Sequence, residues 1–323
     1  MDKRKKILLT YDYELFLGSD SGDLYNCLIN PTNRILEILS NYKAKGLFFV
    51  DTAMLLVMKD TKCFDIVKQQ IQDIVLQGHD IGLHIHPHWQ DAKLIDNCRW
   101  KFEDYSHYRL HSFEQSKLHK IVKECYALLN SIVNEVKDYT VDTFRAGGWS
   151  IQPFSALKEI FQKVGIKYDF SVLPGMNDDD RPKHYYDFKN YPNTKYIWKF
   201  SNDILVEDKD GEFIEIANTT YNMNIIDLMQ NKKLISRYKV VGDGKGAGKK
   251  KTFLEQLKRV RWNVKQILSS DAIDIEIFKK YIFKIDRDTM VSVSHPKLFS
   301  DNSFKVLEYI CQNFDCISYI EVE

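Results

Sequence analysis

The chain has 323 residues, 44% hydrophobic, 13% aromatic and 28% charged, with 46 Lys and Arg against 45 Asp and Glu. That composition excludes disordered and fibrous proteins and implies a large core. A net charge of +1 leaves no electrostatic footprint of a nucleic-acid binder.

The first segment, KKILLTYDYE, reads as a strand. A basic head precedes it, but Thr10, Asp12 and Glu14 interrupt the apolar run, and no small-residue cleavage site follows. A secretory signal needs a longer, uncharged stretch, so the expected location is the cytoplasm. No run approaches the roughly 18 apolar residues of a membrane span. Six cysteines without a CxxC pair are expected as reduced thiols.

Helical and strand patterns then alternate. NRILEILSNYKAKG is an amphipathic helix closed by Gly46, LFFVDT a strand, and CFDIVKQQIQDIVLQG a helix stopped by Gly78. HDIGLHIH is the next strand, followed by a loop of about 20 residues before a long helix with a capping box from Ser112 to Gln115. Strand VDTFRAGG, helix SALKEIFQKVG and strand YDFSVLPG continue the rhythm. Such alternation predicts parallel strands wrapped by helices, in a barrel or an open sheet. Length alone suggests about two domains, yet α/β barrels of this size commonly form one.

Between residues 176 and 240 the rhythm breaks. ILVEDKDGEFIEIANTTY reads as a hairpin turning at KDG, and a basic helix is expected over Phe253–Ser269. GDGKGAGKKKT, from Gly242, fails the spacings of both glycine-rich phosphate motifs and is expected as a solvated loop. Strand TMVSVSHPK, helix NSFKVLEYICQNF and strand CISYIEVE close the chain. The simplest organisation is one catalytic domain over 1–323 with an insertion at about 176–285.

Residues 78–89, GHDIGLHIHPHW, hold four of the nine histidines. In an extended chain His84, His86 and His88 share one face, and Pro87 ends the strand, freeing His88 to swing. Packing has no use for such a cluster. Two imidazoles and a carboxylate form a common site for zinc and related metals, with positions left for water. The carboxylate is expected from another strand's C-terminal end, where Asp12 and Glu14 share a face. Arg145 in FRAGGW, Asp169 in YDFSV and His295 in SVSHPK also end strands. Five strands thus deliver ionisable residues to one rim.

In order, TYDYE, HIHPH, FRAGGW, YDFSV and SHPK resemble the five motifs of the NodB-homology polysaccharide deacetylases, carbohydrate esterase family 4. The resemblance runs from about residue 7 to 297, and its most specific part is His-x-x-x-His, His84 to His88. It implies a distorted parallel (β/α) barrel that removes acetyl groups from sugars with one divalent metal, zinc first, with Co, Mn, Ni or Fe as alternatives. Carried over by position, Asp12 resembles the catalytic base, and Glu14, His84 and His88 the metal ligands. Arg145 resembles the residue holding the base, His295 the general acid, and Asp169 the carboxylate orienting that acid. Departures are Tyr13 between Asp12 and Glu14, Gly-Gly where the third motif has proline, a missing tryptophan in the fourth, and the extra His86. Trp89, Trp149 and His86 are candidate contacts for the sugar.

The expected substrate is an N-acetylated amino sugar, nucleotide- or lipid-linked, serving as a precursor of surface polysaccharide. The Lys245–Lys265 stretch would meet its phosphates. The alternatives are a hydrolase of a formamide or cyclic amide on the same scaffold, and a sugar-binding protein without turnover.

Overall fold

Runs of buried β-branched and aromatic residues form the centre of the molecule. The computed structural model describes residues 4–181, 183–191, 194–247 and 263–322. The strands β1 (Lys6–Tyr13), β2 (Leu47–Asp51), β3 (Asp80–Ile85), β6 (Thr143–Ala146), β7 (Tyr168–Asp169) and β14 (Thr289–Ser294) lie in one sheet. The sheet runs β10–β11–β7–β6–β3–β2–β1–β14, parallel throughout except that β10 (Ile197–Phe200) meets β11 (Phe213–Ile216) antiparallel. Strands such as β2 and β14 are buried at every position, as a sheet covered on both faces requires.

Helices α1 (Asn30–Asn41), α2 (Thr52–Met58), α3 (Lys62–Leu76), α4 (Gln115–Asn134) and α5 (Ser155–Val164) follow the first strands. Ile35 and Leu39 of α1, Val67 and Ile71 of α3, and Val122 and Leu129 of α4 are fully buried in the outer core. A smaller inner core gathers Leu8, Leu47, Phe49, Phe170, Ile216 and Val291. Side chains alternate along a strand, so these inner residues fix which positions face inward. Leu8 predicts Thr10, Asp12 and Glu14 on the same face, Phe49 predicts Asp51, and Val291 predicts Val293 and His295. The result is a curled α/β half-barrel with an apolar floor and a polar layer at the strands' C-terminal ends. The gap beside β14 is bridged by irregular backbone: Asn218 donates to Val172 O (3.0 Å), and Thr219 donates to Val291 O (3.0 Å).

Several local expectations change. The loop after the histidines contains a hairpin, β4 (Lys93–Asp96) with β5 (Arg99–Lys101). Helix α4 starts at Gln115, because the Ser112 hydroxyl donates to Arg109 O (2.5 Å) inside a preceding 3₁₀ turn and caps nothing. The hairpin predicted around KDG pairs β10 with β11, so its first strand lies upstream of the expected one. A second hairpin, β8 (Asn177–Asp179) with β9 (Tyr185–Asp187), stands in the segment read as loop. Then β12 (Thr220–Asn224) leads into α6 (Ile225–Ile235). Of the helix expected over 253–269, the first ten positions lie outside the described residues. Asn263–Ile267 is a strand, β13, antiparallel to β12. Helices α7 (Ile275–Ile282) and α8 (Asp301–Asn313) flank β14, and the last strand shrinks to β15 (Asp315–Cys316).

Cys63 and Cys98, expected as thiols, form a disulfide with Cα atoms 5.7 Å apart. The sequence hid this pair because only the fold brings the start of α3 to the β4–β5 turn. Among the described residues no helix is long and apolar enough to cross a membrane.

Candidate active site

The polar layer is built by strand alternation. Glu14 follows β1, Asp51 ends β2, His84 and His86 sit at the end of β3, Arg145 lies on β6, and His295 follows β14. Gly147 lets the next turn close on them: a Cβ there would lie 2.5 Å from Ile85 O and 2.8 Å from His86 Nδ1. That close approach accounts for glycine where the resembled motif has proline.

Arg145 is fully buried, and its guanidinium binds Asp12 Oδ1, Thr10 Oγ1 (2.8 Å), Asn218 Oδ1 (3.0 Å) and Phe170 O (3.2 Å). Its cation also lies 4.1 Å above the Phe49 ring, so the polar layer rests directly on the apolar floor. Burial alone would raise the Asp12 pKa, but Arg145, then His84 and His295, outweigh it and hold the carboxyl ionised.

Glu14, His84 and His86 converge, with donor atoms all within 4.8 Å of one another. Glu14 Oε2 lies 3.0 Å from His86 Nε2 and 3.5 Å from His84 Nε2. Yet Glu14 Oε2 and His84 Nε2 are buried without a hydrogen-bond partner. The His84 ring is oriented from behind, with Nδ1 2.7 Å from Arg145 O. A carbonyl can only accept, so Nδ1 carries a proton. Burial would lower this imidazole's pKa, but Glu14, then Asp12 and Asp51, push it up to about 9, and a cation bound between Nε2 and Glu14 would take the place of the second proton. Two imidazole nitrogens and one carboxylate oxygen, with this backing, fit a divalent cation of the zinc type.

That set differs from the expected one at a single position. His86, a candidate sugar contact, stands where His88 was expected. Pro87 ends β3 and starts a 3₁₀ turn over Pro87–Asp91, which carries His88 off the strand face. Its ring is fully buried, stacks on Tyr108 (4.6 Å, 21°) and lies 4.8 Å from Phe102, with both nitrogens unpartnered. Burial, and then the neighbouring His86, keep it neutral. The turn is pinned by Asp51, whose carboxylate accepts from His86 N (3.1 Å) and Trp89 Nε1 (2.6 Å). Trp89 is therefore a core residue with no exposed face for a sugar. Trp149, by contrast, is half-buried, with the Arg145 guanidinium 5.5 Å from its ring centroid.

His295 Nε2 lies 3.6 Å from Asp12 Oδ2, and its Nδ1 is 3.0 Å from Asp271 Oδ2. The same Asp271 oxygen accepts the His295 backbone N–H (2.6 Å). Burial would lower this imidazole's pKa, but Asp271, then Asp12 and Glu14, raise it above the ordinary value. The carboxylate orienting His295 is thus Asp271, not Asp169. Alternation explains the exchange: Phe170 faces the inner core, so Asp169 faces the helices beside its register partner Glu215. Asp271 stood inside SSDAID, just past the expected helix, where no strand pattern marked it. Asp51, ending LFFVDT, had the same signal as Asp12: an acid closing an apolar strand.

Asp169 and Glu215 form a second buried acidic pair. Asp169 Oδ1 accepts from Ser171 N (2.8 Å) and Glu215 Oε1 from Val172 N (2.9 Å), which leaves Asp169 Oδ2 and Glu215 Oε2 buried without a partner, a need that one shared proton would meet. Burial pushes Asp169 up to about 6, and burial and then Asp169 push Glu215 well above the usual range. Folded values above the unfolded ones mean stability present at low pH and lost as pH rises past about 6. Glu215→Gln replaces the shared proton with an amide donor. Thermal melts between pH 4 and 8 should show wild type losing a few degrees that the variant keeps; parallel curves would contradict the shared proton.

The described part of the Gly-rich segment, up to Ala247, is anchored at this rim by its backbone. Val241 N donates to Phe299 O (2.8 Å), Gly242 N to Lys297 O (3.2 Å) and Lys245 N to Asp20 O (2.7 Å). Lys249, Lys250 and Lys251 lie outside the described residues.

The family model for polysaccharide deacetylases matches residues 2–168, a span containing Asp12, Glu14, the histidines and Arg145. A solved structure from Mycobacterium smegmatis, described as a polysaccharide deacetylase, is 15% identical over 100% of this chain and 90% of its own, with a TM-score of 0.53. A polysaccharide deacetylase of Bacillus cereus is 12% identical over 98% of this chain and 93% of its own, with a TM-score of 0.43. No curated protein is similar enough in sequence to count as a relative.

Proposed function

Because the chain belongs to the polysaccharide deacetylase family, whose members are hydrolases that deacetylate carbohydrates, we propose that it is a metal-dependent enzyme removing the acetyl group from an N-acetylated amino sugar. The observation that carries this reading is the meeting on one rim of Asp12–Arg145, Glu14 with His84 and His86, and His295–Asp271. Glu14, His84 and His86 would hold the ion, and a divalent cation there would supply Lewis-acid polarisation of the amide carbonyl and acidify a water.

The protein's own groups do the rest. Asp12 accepts the proton from the attacking water, and Arg145 keeps it ionised and aimed. An amine leaves only once protonated, and His295 delivers that proton from Nε2. Asp271 fixes the tautomer and favours the imidazolium. Trp149 offers the sugar a flat apolar face.

The substrate in this reading is a phosphate-bearing precursor of surface polysaccharide, nucleotide- or lipid-linked. Exposed Lys245, on the segment anchored at the rim, supports a phosphate there. Acetate release is compared for a sugar nucleotide, a lipid-linked sugar and a chitin oligomer, beside formamide and cyclic-amide controls. The expected result is turnover of a phosphorylated sugar with a KM that rises in Lys245→Ala. Turnover of the neutral oligomer alone would remove the phosphate reading, and turnover of a non-sugar amide alone would remove the sugar.

A further inference from the structure

Lys297 is a buried cation that the chemistry above does not use. Its side chain is 7% exposed, and Nζ donates to Glu14 Oε1 (2.8 Å) and to Leu15 O (2.7 Å). The two oxygens of Glu14 therefore face different neighbours. Oε1 meets Lys297 and, at 3.9 Å, His295 Nε2; Oε2 meets the two imidazole nitrogens. The lysine has little freedom to leave. It sits in a 3₁₀ turn over Pro296–Leu298, its carbonyl accepts from Gly242 N (3.2 Å), and its ammonium lies 5.2 Å from the Phe16 ring centroid.

Resting on the reading of Glu14 as a metal ligand, we infer that Lys297 is a positioning residue that makes Glu14 a one-oxygen ligand and so selects the metal. A carboxylate with both oxygens free can chelate, which suits larger ions that collect many oxygen donors. With Oε1 held by an ammonium, only Oε2 is offered, and a set of two nitrogens and one oxygen favours zinc-like ions over manganese. The ammonium's charge repels every divalent ion alike, so it lowers both affinities and cancels in their ratio. The ratio isolates coordination from charge.

The test measures Zn²⁺ and Mn²⁺ affinities by chelator competition for wild type, Lys297→Met and Lys297→Gln, with thermal melts as folding controls. In Lys297→Met the preference for Zn²⁺ over Mn²⁺ should fall by about tenfold or more, as changes in groups backing a ligand do. Lys297→Gln, which still donates one hydrogen bond to Oε1, should recover most of it. In the cobalt-loaded protein, visible absorption should weaken in Lys297→Met as coordination number rises. An unchanged ratio and spectrum in a folded Lys297→Met protein overturn the inference while leaving the metal site standing. A wild type that binds neither ion overturns both.

Discussion

Asp12→Asn is expected to retain its metal and lose about 10²- to 10⁴-fold in kcat, the usual worth of a positioned base. The amide is isosteric, and its oxygen still accepts from Arg145, so the buried guanidinium keeps all four of its partners. Only the capacity to take a proton is removed. His295→Gln removes the acid at the other side of the site, and its loss should again fall on kcat and not on KM. Because Asp12 and His295 face each other across 3.6 Å, the double variant should lose less than the product of the single losses. Steady-state kinetics at matched metal loading check this. Near-normal kcat in both single variants would contradict the acid–base assignment, and loss of metal from Asp12→Asn would exchange the roles of Asp12 and Glu14.

Metal content should separate three neighbouring histidines just as sharply. His84→Ala and His86→Ala each remove one of two nitrogen donors and should empty the site after dialysis. His88→Phe should stay loaded. Its ring sits among Tyr108, Phe102 and Tyr105 with neither nitrogen bonded, so phenylalanine fills the volume without stranding a buried polar atom. Elemental analysis of the three proteins decides it. A loaded His86→Ala beside an empty His88→Phe would restore His-x-x-x-His as the ligand pair.

That pair shows where the sequence could be read and where it could not. Period-two alternation placed Asp12, Glu14, His84 and Arg145 on one rim, because strand geometry is local and parity fixes a face. His88 escaped the rule at Pro87, where the strand stops and a turn begins; the proline marked the break, and the spacing of the resembled motif pointed past it. Asp169 failed by parity alone, one residue out of phase with Phe170. Asp271 lay beyond reach because it follows β13, whose antiparallel pairing with the distant Thr220–Asn224 leaves no local signature, and without that pairing Asn263–Ile267 reads as the end of a basic helix. The Cys63–Cys98 disulfide and the Lys297–Glu14 pair join residues 35 and 283 positions apart. Contacts of that kind belong to the fold and leave no periodic trace.

In the proposed function this rim deacetylates an amino sugar with a metal held by Glu14, His84 and His86. The most direct test is acetate release from N-acetylated sugars by the chelator-stripped protein before and after stoichiometric addition of Zn²⁺, with Glu14→Ala treated in parallel. The expected result is no release when stripped, recovery at about one ion per chain, and no recovery in Glu14→Ala. Equal release by the stripped and reloaded protein, or full recovery without Glu14, would contradict it.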